Sequence, residues 1–301
     1  KRGIREEEVK FEHSIVQHLT KKCFKIVAPV VHTKDGKTYV QEIEDTEEMD
    51  EKACIFVSVF EFLPGEDRYT WDNPTCTAEE LRNAAIVLAH YHDTAYQLIP
   101  EGKRHEPRIV DLLPRFASNV KTWAKRAGKT GFDTYFLDNL ELTLSVIHRT
   151  RDRINMREYE ALVHLPIHGD YHPGNLKFED SRVIGLFDFD WSKIDARCFD
   201  VALAVCYFCS AWDGEKDGDL QFDKAGVFLN TYQKALQGTQ RIGPLNDLER
   251  KYLFPMLIAS NLYVLHWDIE DFYTKNADPD QYLRYLRHNV LAMKWLEDKK
   301  N

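Results

Sequence analysis

The sequence predicts an α+β fold in two unequal lobes, a small strand-rich lobe followed by a larger, mostly helical one. Three observations carry this expectation. Short β-type runs are confined to residues 24–63 and to one patch at 162–190. Long helical periodicities dominate the chain after Gly65. The turn Leu63-Pro64-Gly65-Glu66 separates the two regimes. The expected division is therefore 1–64 for the small lobe and 65–301 for the large one. The cleft between two such lobes is a usual place for a ligand.

Each element has a local reason. In residues 6–21, Val9, Phe11, Ile15, Val16 and Leu19 recur at helical spacing with charges between them, an amphipathic helix. Residues 24–32, 38–43 and 54–63 read as strands, the second after the turn Lys34-Asp35-Gly36. Helices are predicted over 78–98, with Thr77 as N-cap, then over 111–126 and 133–158. After the β-type patch, helices resume at 198–212, 220–236, 247–273 and 280–298, with Pro255 as a kink or boundary.

Bulk properties narrow the function. The 301 residues, 44% of them hydrophobic, suffice for one large domain or two unequal lobes. No apolar run reaches 18 residues, so no membrane span is expected. The opening Lys-Arg-Gly-Ile-Arg-Glu-Glu-Glu has no apolar segment of the kind a signal peptide needs. A net charge of −9 argues against a nucleic-acid partner, which would need a basic stripe. The six cysteines do not form a disulfide pattern, so a reducing cytoplasm is the expected compartment. Cys206 and Cys209 lie in an apolar helical run and read as core thiols.

The chemistry concentrates in residues 168–200. His168-Gly169-Asp170-Tyr171-His172-Pro173-Gly174-Asn175 sets an Asp five positions before an Asn on one loop. The carboxylate can orient and deprotonate a hydroxyl. The amide oxygen suits a hard cation such as Mg²⁺, which prefers oxygen ligands. Asp188, at the end of an apolar run in Phe187-Asp188-Phe189-Asp190, supplies a second ligand, and Asp190 is a further candidate. Asp200, twelve residues on, is placed to accept backbone N–H groups from the catalytic loop. His168 and His172 read as braces of that loop. The segment Asp170-Tyr171-His172 also matches a D-x-H element of dinuclear metallophosphoesterases, but Leu176 stands where a His would follow Asn175.

These residues resemble the aminoglycoside phosphotransferase and choline kinase superfamily, relatives of protein kinases. Its H-G-D-x-x-x-x-N is matched by His168, Gly169, Asp170 and Asn175, its F-D by Phe187 and Asp188, and its D-x-A by Asp200, Val201 and Ala202. The stretches 187–191 and 261–268 look most like the homoserine-kinase-like branch. The resemblance implies a protein-kinase-like fold, ATP and Mg²⁺ as cofactors, and a small hydroxylated, amine-bearing molecule as acceptor, homoserine or a related amino alcohol first and an aminoglycoside, choline-like or thioribose substrate second. Asp170 would be the catalytic base, with Asn175 and Asp188 as magnesium ligands. Residues 60–63, with Glu61 and Phe62 at their centre, would be the linker that binds adenine. Glu12, or Glu8 one turn earlier, would pair with a phosphate-binding Lys1, or Arg2 in its place. The glycine-rich loop of the superfamily would precede Lys1. Asp190 in place of the Gly of D-F-G points away from protein kinases.

The acceptor is expected on the helical side of Asp170. Trp267 and Asp268 are the expected substrate residues, an aromatic face beside a carboxylate that suits an ammonium group. Asp268, Glu270 and Asp271 offer either such a pocket or a solvated acidic face. The rival from another class is a non-catalytic pseudokinase that binds a nucleotide or metabolite.

Overall fold

The computed structural model of this chain describes residues 4–44, 53–239, 241–275 and 277–299. Helix α1 (Glu6–Lys21) buries Phe11, Ile15, Val16 and Leu19 on one face, as their spacing requires. Strands β1 (Val40–Glu44) and β2 (Ala53–Val57) pair antiparallel, Val40 opposite Val57. The predicted strand at 24–32 is reduced to isolated bridges, Val27 with Leu186 and Val30 with Phe60. Pro29 has no N–H to give to a ladder, and its carbonyl accepts from Glu61 N at 2.9 Å. The segment thereby stitches the linker at 60–63 to the centre of the molecule. Lys1 and Arg2 lie outside the described residues.

The helical part begins at α2 (Ala78–Ala95). Thr77 and Glu80 form its capping box, with Thr77 Oγ1 accepting from Glu80 N at 3.2 Å. Then come α3 (Ile109–Ala124), α4 (Gly131–Asp138), α5 (Leu140–Arg153) and α6 (Met156–Glu160). The single helix predicted over 133–158 is thus three pieces. Asn139 turns its amide onto Tyr135 O at 2.8 Å, and Asn155 caps α6 by accepting from Glu158 N at 3.1 Å. Both compete with the helix ladder through their own side chains.

Four short strands follow: β3 (His164–Ile167), β4 (Leu176–Glu179), β5 (Arg182–Leu186) and β6 (Lys193–Ala196). Sequence reasoning did not find β6. Its register with β3 sets Ile167 opposite Lys193, and that of β4 with β5 sets Leu176 opposite Leu186. Loops 168–175 and 187–192 therefore run side by side, joining the β3–β6 pair to the β4–β5 hairpin. Helix α7 (Arg197–Cys209) is buried almost all round and carries Cys198 and Cys209 in the core. The chain ends with α8 (Phe222–Ala235), α9 (Asp247–Thr274) and α10 (Pro279–Asp298). Helix α9 runs unbroken through Pro255. Helices α7 and α9 pack together, as do α9 and α10, and α2 lies against α8. No helix among the described residues is long and apolar enough to cross a membrane.

Candidate active site

Helix α2 and the first turn of α7 hold the loop at 168–175 from below. Asp200, fully buried, accepts from His168 N at 3.0 Å and Gly169 N at 2.9 Å. His92 of α2 donates its Nε2–H to the same carboxylate at 2.9 Å, and its Nδ1 accepts from Tyr232 Oη at 2.7 Å. Burial alone would raise the Asp200 pKa, but the His92 and Gly169 hydrogen bonds outweigh it and the net direction is down. Burial lowers the His92 pKa, so the pair is an ionised carboxylate and a neutral imidazole. Tyr171 Oη donates to Ala84 O at 2.7 Å, and Tyr91 Oη to Pro166 O at 2.8 Å, two more ties to α2. Gly169 has φ +76°, and a Cβ there would sit 2.3 Å from Trp191 O. Only glycine fits this close approach of the two loops.

Asp170 stands on this brace with each carboxylate oxygen engaged. Tyr207 Oη donates to Oδ1 at 3.1 Å, Asn175 Nδ2 donates to Oδ2 at 3.0 Å, and His172 Nε2 lies 3.3 Å from Oδ2. Burial pushes the Asp170 pKa up, His172 and Asn175 pull it down, and the net shift is downward. Burial, then the Asp170 charge, keeps the Tyr207 phenol protonated as a donor. The result is an ionised carboxylate of fixed direction.

The two expected metal ligands meet at the open end of the β4–β5 hairpin. Asn175 precedes Leu176 and Asp188 follows Leu186 by two, and Phe187 N donates to Asn175 O at 3.2 Å. The Asn175 Nδ2 also donates to Asp170 O at 2.9 Å. Both of its partners are acceptors, so the orientation of the amide is determined and Oδ1 is turned away from Asp170. Asp188 adopts φ 63°, a conformation non-glycine residues rarely take. Burial raises its pKa, and the charges of Asp190 and Asp170 raise it further. A bound cation would relieve that repulsion. Among the described residues no cluster of three or more His, Cys, Asp or Glu forms a metal cage. Two hard oxygen ligands fit Mg²⁺, which keeps several waters and uses substrate phosphates.

Two pockets open on either side of this seam. The first, about 700 Å³, runs from Glu12 on α1 past Glu61, Phe62 and Leu63 to Asp188 and Asp190. Its linker edge is held by the Glu61–Pro29 bond, while the Phe62 and Leu63 N–H groups make no backbone hydrogen bond among the described residues. Glu12 faces this pocket, whereas Glu8 is drawn to Arg104, Nη1–Oε1 3.5 Å. Sequence reasoning missed Lys177, which reaches into the same pocket to pair with Asp67. The second pocket, about 320 Å³, contains Asp170 with Trp71, Trp191, Trp267, Asp268 and Asp271. The expected substrate residues Trp267 and Asp268 thus share a pocket with Asp170. Glu270 turns away to His266, Oε2–Nε2 3.5 Å.

Comparison with known proteins agrees with this layout. The model of the phosphotransferase enzyme family matches residues 2–241. A homoserine kinase of Parvibaculum lavamentivorans is 30% identical over 189 residues, 58% of this chain and 53% of that protein. The chain thus spans about half the length of that relative. A homoserine kinase of Zymomonas mobilis is 24% identical over 293 residues, 94% of this chain and 78% of the relative. Among solved structures, a microcompartment-associated aminopropanol kinase superposes with TM-score 0.64 at 15% identity, covering 98% of this chain and 82% of its own. An aminoglycoside phosphotransferase from Alicyclobacillus acidocaldarius gives 0.61 at 17% identity, covering 99% and 84%. The structural likeness shows the protein-kinase-like fold.

Proposed function

The chain belongs to the phosphotransferase enzyme family, and from that premise we propose that it transfers the γ-phosphoryl group of ATP to a hydroxyl of a small, amine-bearing molecule. One observation carries this reading. Asp170 lines the acceptor pocket, Asp188 lines the linker pocket, and Asn175 joins them, its side-chain amide donating to Asp170 Oδ2 at 3.0 Å and its backbone carbonyl accepting from Phe187 N, next to Asp188, at 3.2 Å. Phosphoryl transfer needs this meeting of a base and a phosphate-side cation site.

In the proposed reaction, the linker at 60–63, with Glu61 and Phe62, holds the adenine. Glu12 pairs with Lys1 or Arg2 at the phosphates. Asn175 and Asp188 would hold Mg²⁺, which would supply neutralisation of the phosphate charge. Asp170 orients the acceptor hydroxyl. As the acceptor oxygen bonds to the γ-phosphorus, the bond to the β-phosphate oxygen breaks, ADP leaves, and the hydroxyl proton passes to Asp170. Because the carboxyl is held below the usual range, proton transfer comes late and positioning contributes most. On the acceptor side, the amine rests between Trp267 and Asp268. Residues 1–64 form the nucleotide lobe and 65–301 the catalytic and substrate lobe. The names of the sequence relatives make homoserine one acceptor to try, and those of the structural neighbours make amino alcohols another. The test is ADP release by the full-length protein with Mg-ATP and a panel of hydroxylated amines. Turnover above the rate without acceptor is expected for at least one compound, and its absence across the panel would count against the reading.

A further inference from the structure

The acceptor pocket contains the wrong charges for an amino acid. Among the described residues no Lys or Arg lines it, and its acidic groups are Asp170, Asp268 and Asp271; burial pushes the Asp268 pKa well above the usual carboxylate range, a cost that a bound cation would relieve. Its histidine, His172, is engaged: Nδ1 accepts from Gly174 N at 3.0 Å, so Nε2 carries the proton, 3.3 Å from Asp170 Oδ2. Two cations close by in the chain are already paired. Lys275, which caps the C-terminal end of α9, binds Asp271 at 2.7 Å, and Arg284 of α10 binds Asp72 at 2.8 Å. A helix N-terminus is the other ready receptor for a carboxylate. Helix α10 presents one, since Gln281 in its first turn lines the pocket. That end is filled by the protein's own Asp278, which accepts from Asp280 N at 3.0 Å and Gln281 N at 2.8 Å.

The opposite is true for a cation. Asp268 is buried and aimed by a chain of amides. Asn289 Nδ2 donates to its Oδ2 at 2.7 Å, and Asn261 Nδ2 donates to Asn289 Oδ1 at 2.9 Å. Asp271, three residues on, shares its helix face. The rings of Trp71, Trp191 and Trp267 complete the wall, and aromatic faces attract cations. We propose that this pocket selects a cationic amino alcohol that carries no carboxylate, and that hydroxy-amino acids, homoserine included, are rejected. The proposal rests on the reading of the pocket as the acceptor site and narrows it. An ammonium group seats against Asp268. A carboxylate on the adjoining carbon loses its water beside Asp268 and finds no Lys or Arg among the described lining residues.

Matched pairs test this, because each hydroxy-amino acid differs from its decarboxylated amino alcohol by the carboxylate alone. Propanolamine and homoserine, and ethanolamine and serine, are titrated into full-length protein loaded with Mg²⁺ and a non-hydrolysable ATP analogue. Binding is read as quenching of tryptophan fluorescence, and kcat/KM is read in parallel as ADP release with ATP. Each amino alcohol is expected to exceed its amino acid at least tenfold in both. Asp268→Asn, which keeps an acceptor for Asn289, should lower amino alcohol affinity at least tenfold and shrink the gap. If that variant fails to fold by circular dichroism, Asp271→Asn at the pocket rim takes its place. Homoserine equal to propanolamine, an undiminished gap in the variant, or no binding by any member of either pair would overturn the proposal. Selective binding without phosphoryl transfer would instead sink the kinase reading and leave the selectivity standing. Transfer to homoserine with no preference would do the reverse.

Discussion

Replacing Asp200 by Ala removes the single acceptor that three buried donors share: His168 N, Gly169 N and His92 Nε2, at 3.0, 2.9 and 2.9 Å. Each donor left without a partner costs roughly 1–3 kcal/mol. Because the three share one network, their costs do not simply add, and about 3–6 kcal/mol is expected. That is a large part of the ~5–15 kcal/mol that holds an ordinary domain folded. At about 2–4 °C per kcal/mol for large domains, the melting temperature should fall by on the order of 10 °C. Turnover should fall with it, since Gly169 and the adjoining Asp170 lose their anchor. Thermal unfolding followed by circular dichroism, with kcat at a temperature where the variant stays folded, measures both. Asp200→Asn keeps one acceptor oxygen and should fall between Ala and wild type. The pH dependence has a definite sign. The folded-state pKa of Asp200 is depressed, so its contribution is complete above the ordinary aspartate value and is lost as pH falls through the folded one. Asp200→Asn should therefore flatten the acid limb of the stability profile. A melting curve unchanged in Asp200→Ala, with full activity, would refute the brace.

Three further outcomes are expected. Asp170→Asn should lower kcat by about 10²–10⁴-fold and leave ATP affinity close to wild type, as steady-state kinetics and calorimetry would register; a variant keeping most of its kcat would remove Asp170 from the role of base. Asn175→Ala and Asp188→Ala should weaken Mg-nucleotide binding, Asp188 more because it carries charge, and titration calorimetry with and without Mg²⁺ would reveal unchanged affinities if neither is a ligand. Gly169→Ala combines a left-handed backbone with a Cβ 2.3 Å from Trp191 O, so it should cost about 1–3 kcal/mol and most of the activity; a wild-type melting point would contradict the close approach of the loops.

What was legible in the sequence follows distance along the chain. Asp170, Asn175 and Asp188 lie on two loops joined by one hairpin, so spacing and local pattern nearly determine their meeting. The brace by Asp200 was also readable. Its partner His92, 108 residues earlier, was not. A hint was present: His92 continues the row Leu81, Ala84, Ala85, Leu88 and Ala89 on the buried face of α2, and a buried histidine needs a partner. Tyr207 as the donor to Asp170 and Trp71 as a pocket wall came from packing alone, which no local period encodes. Glu12 was preferred to Glu8 only through the family resemblance, because both lie on one stretch of helix. In the structure Glu12 lines the linker pocket and Glu8 pairs with Arg104. The breaks at Asn139 and Asn155 were missed because the hydrophobic period runs through them, while the amide side chains compete locally with the helix.

The central claim is that the γ-phosphoryl group reaches an acceptor hydroxyl held by Asp170. Phosphorus NMR of a reaction containing full-length protein, Mg-ATP and propanolamine addresses it most directly. The account predicts a new phosphomonoester resonance growing in step with ADP and absent with Asp170→Asn. ADP accompanied only by inorganic phosphate, or a phosphomonoester formed equally fast by Asp170→Asn, would contradict it.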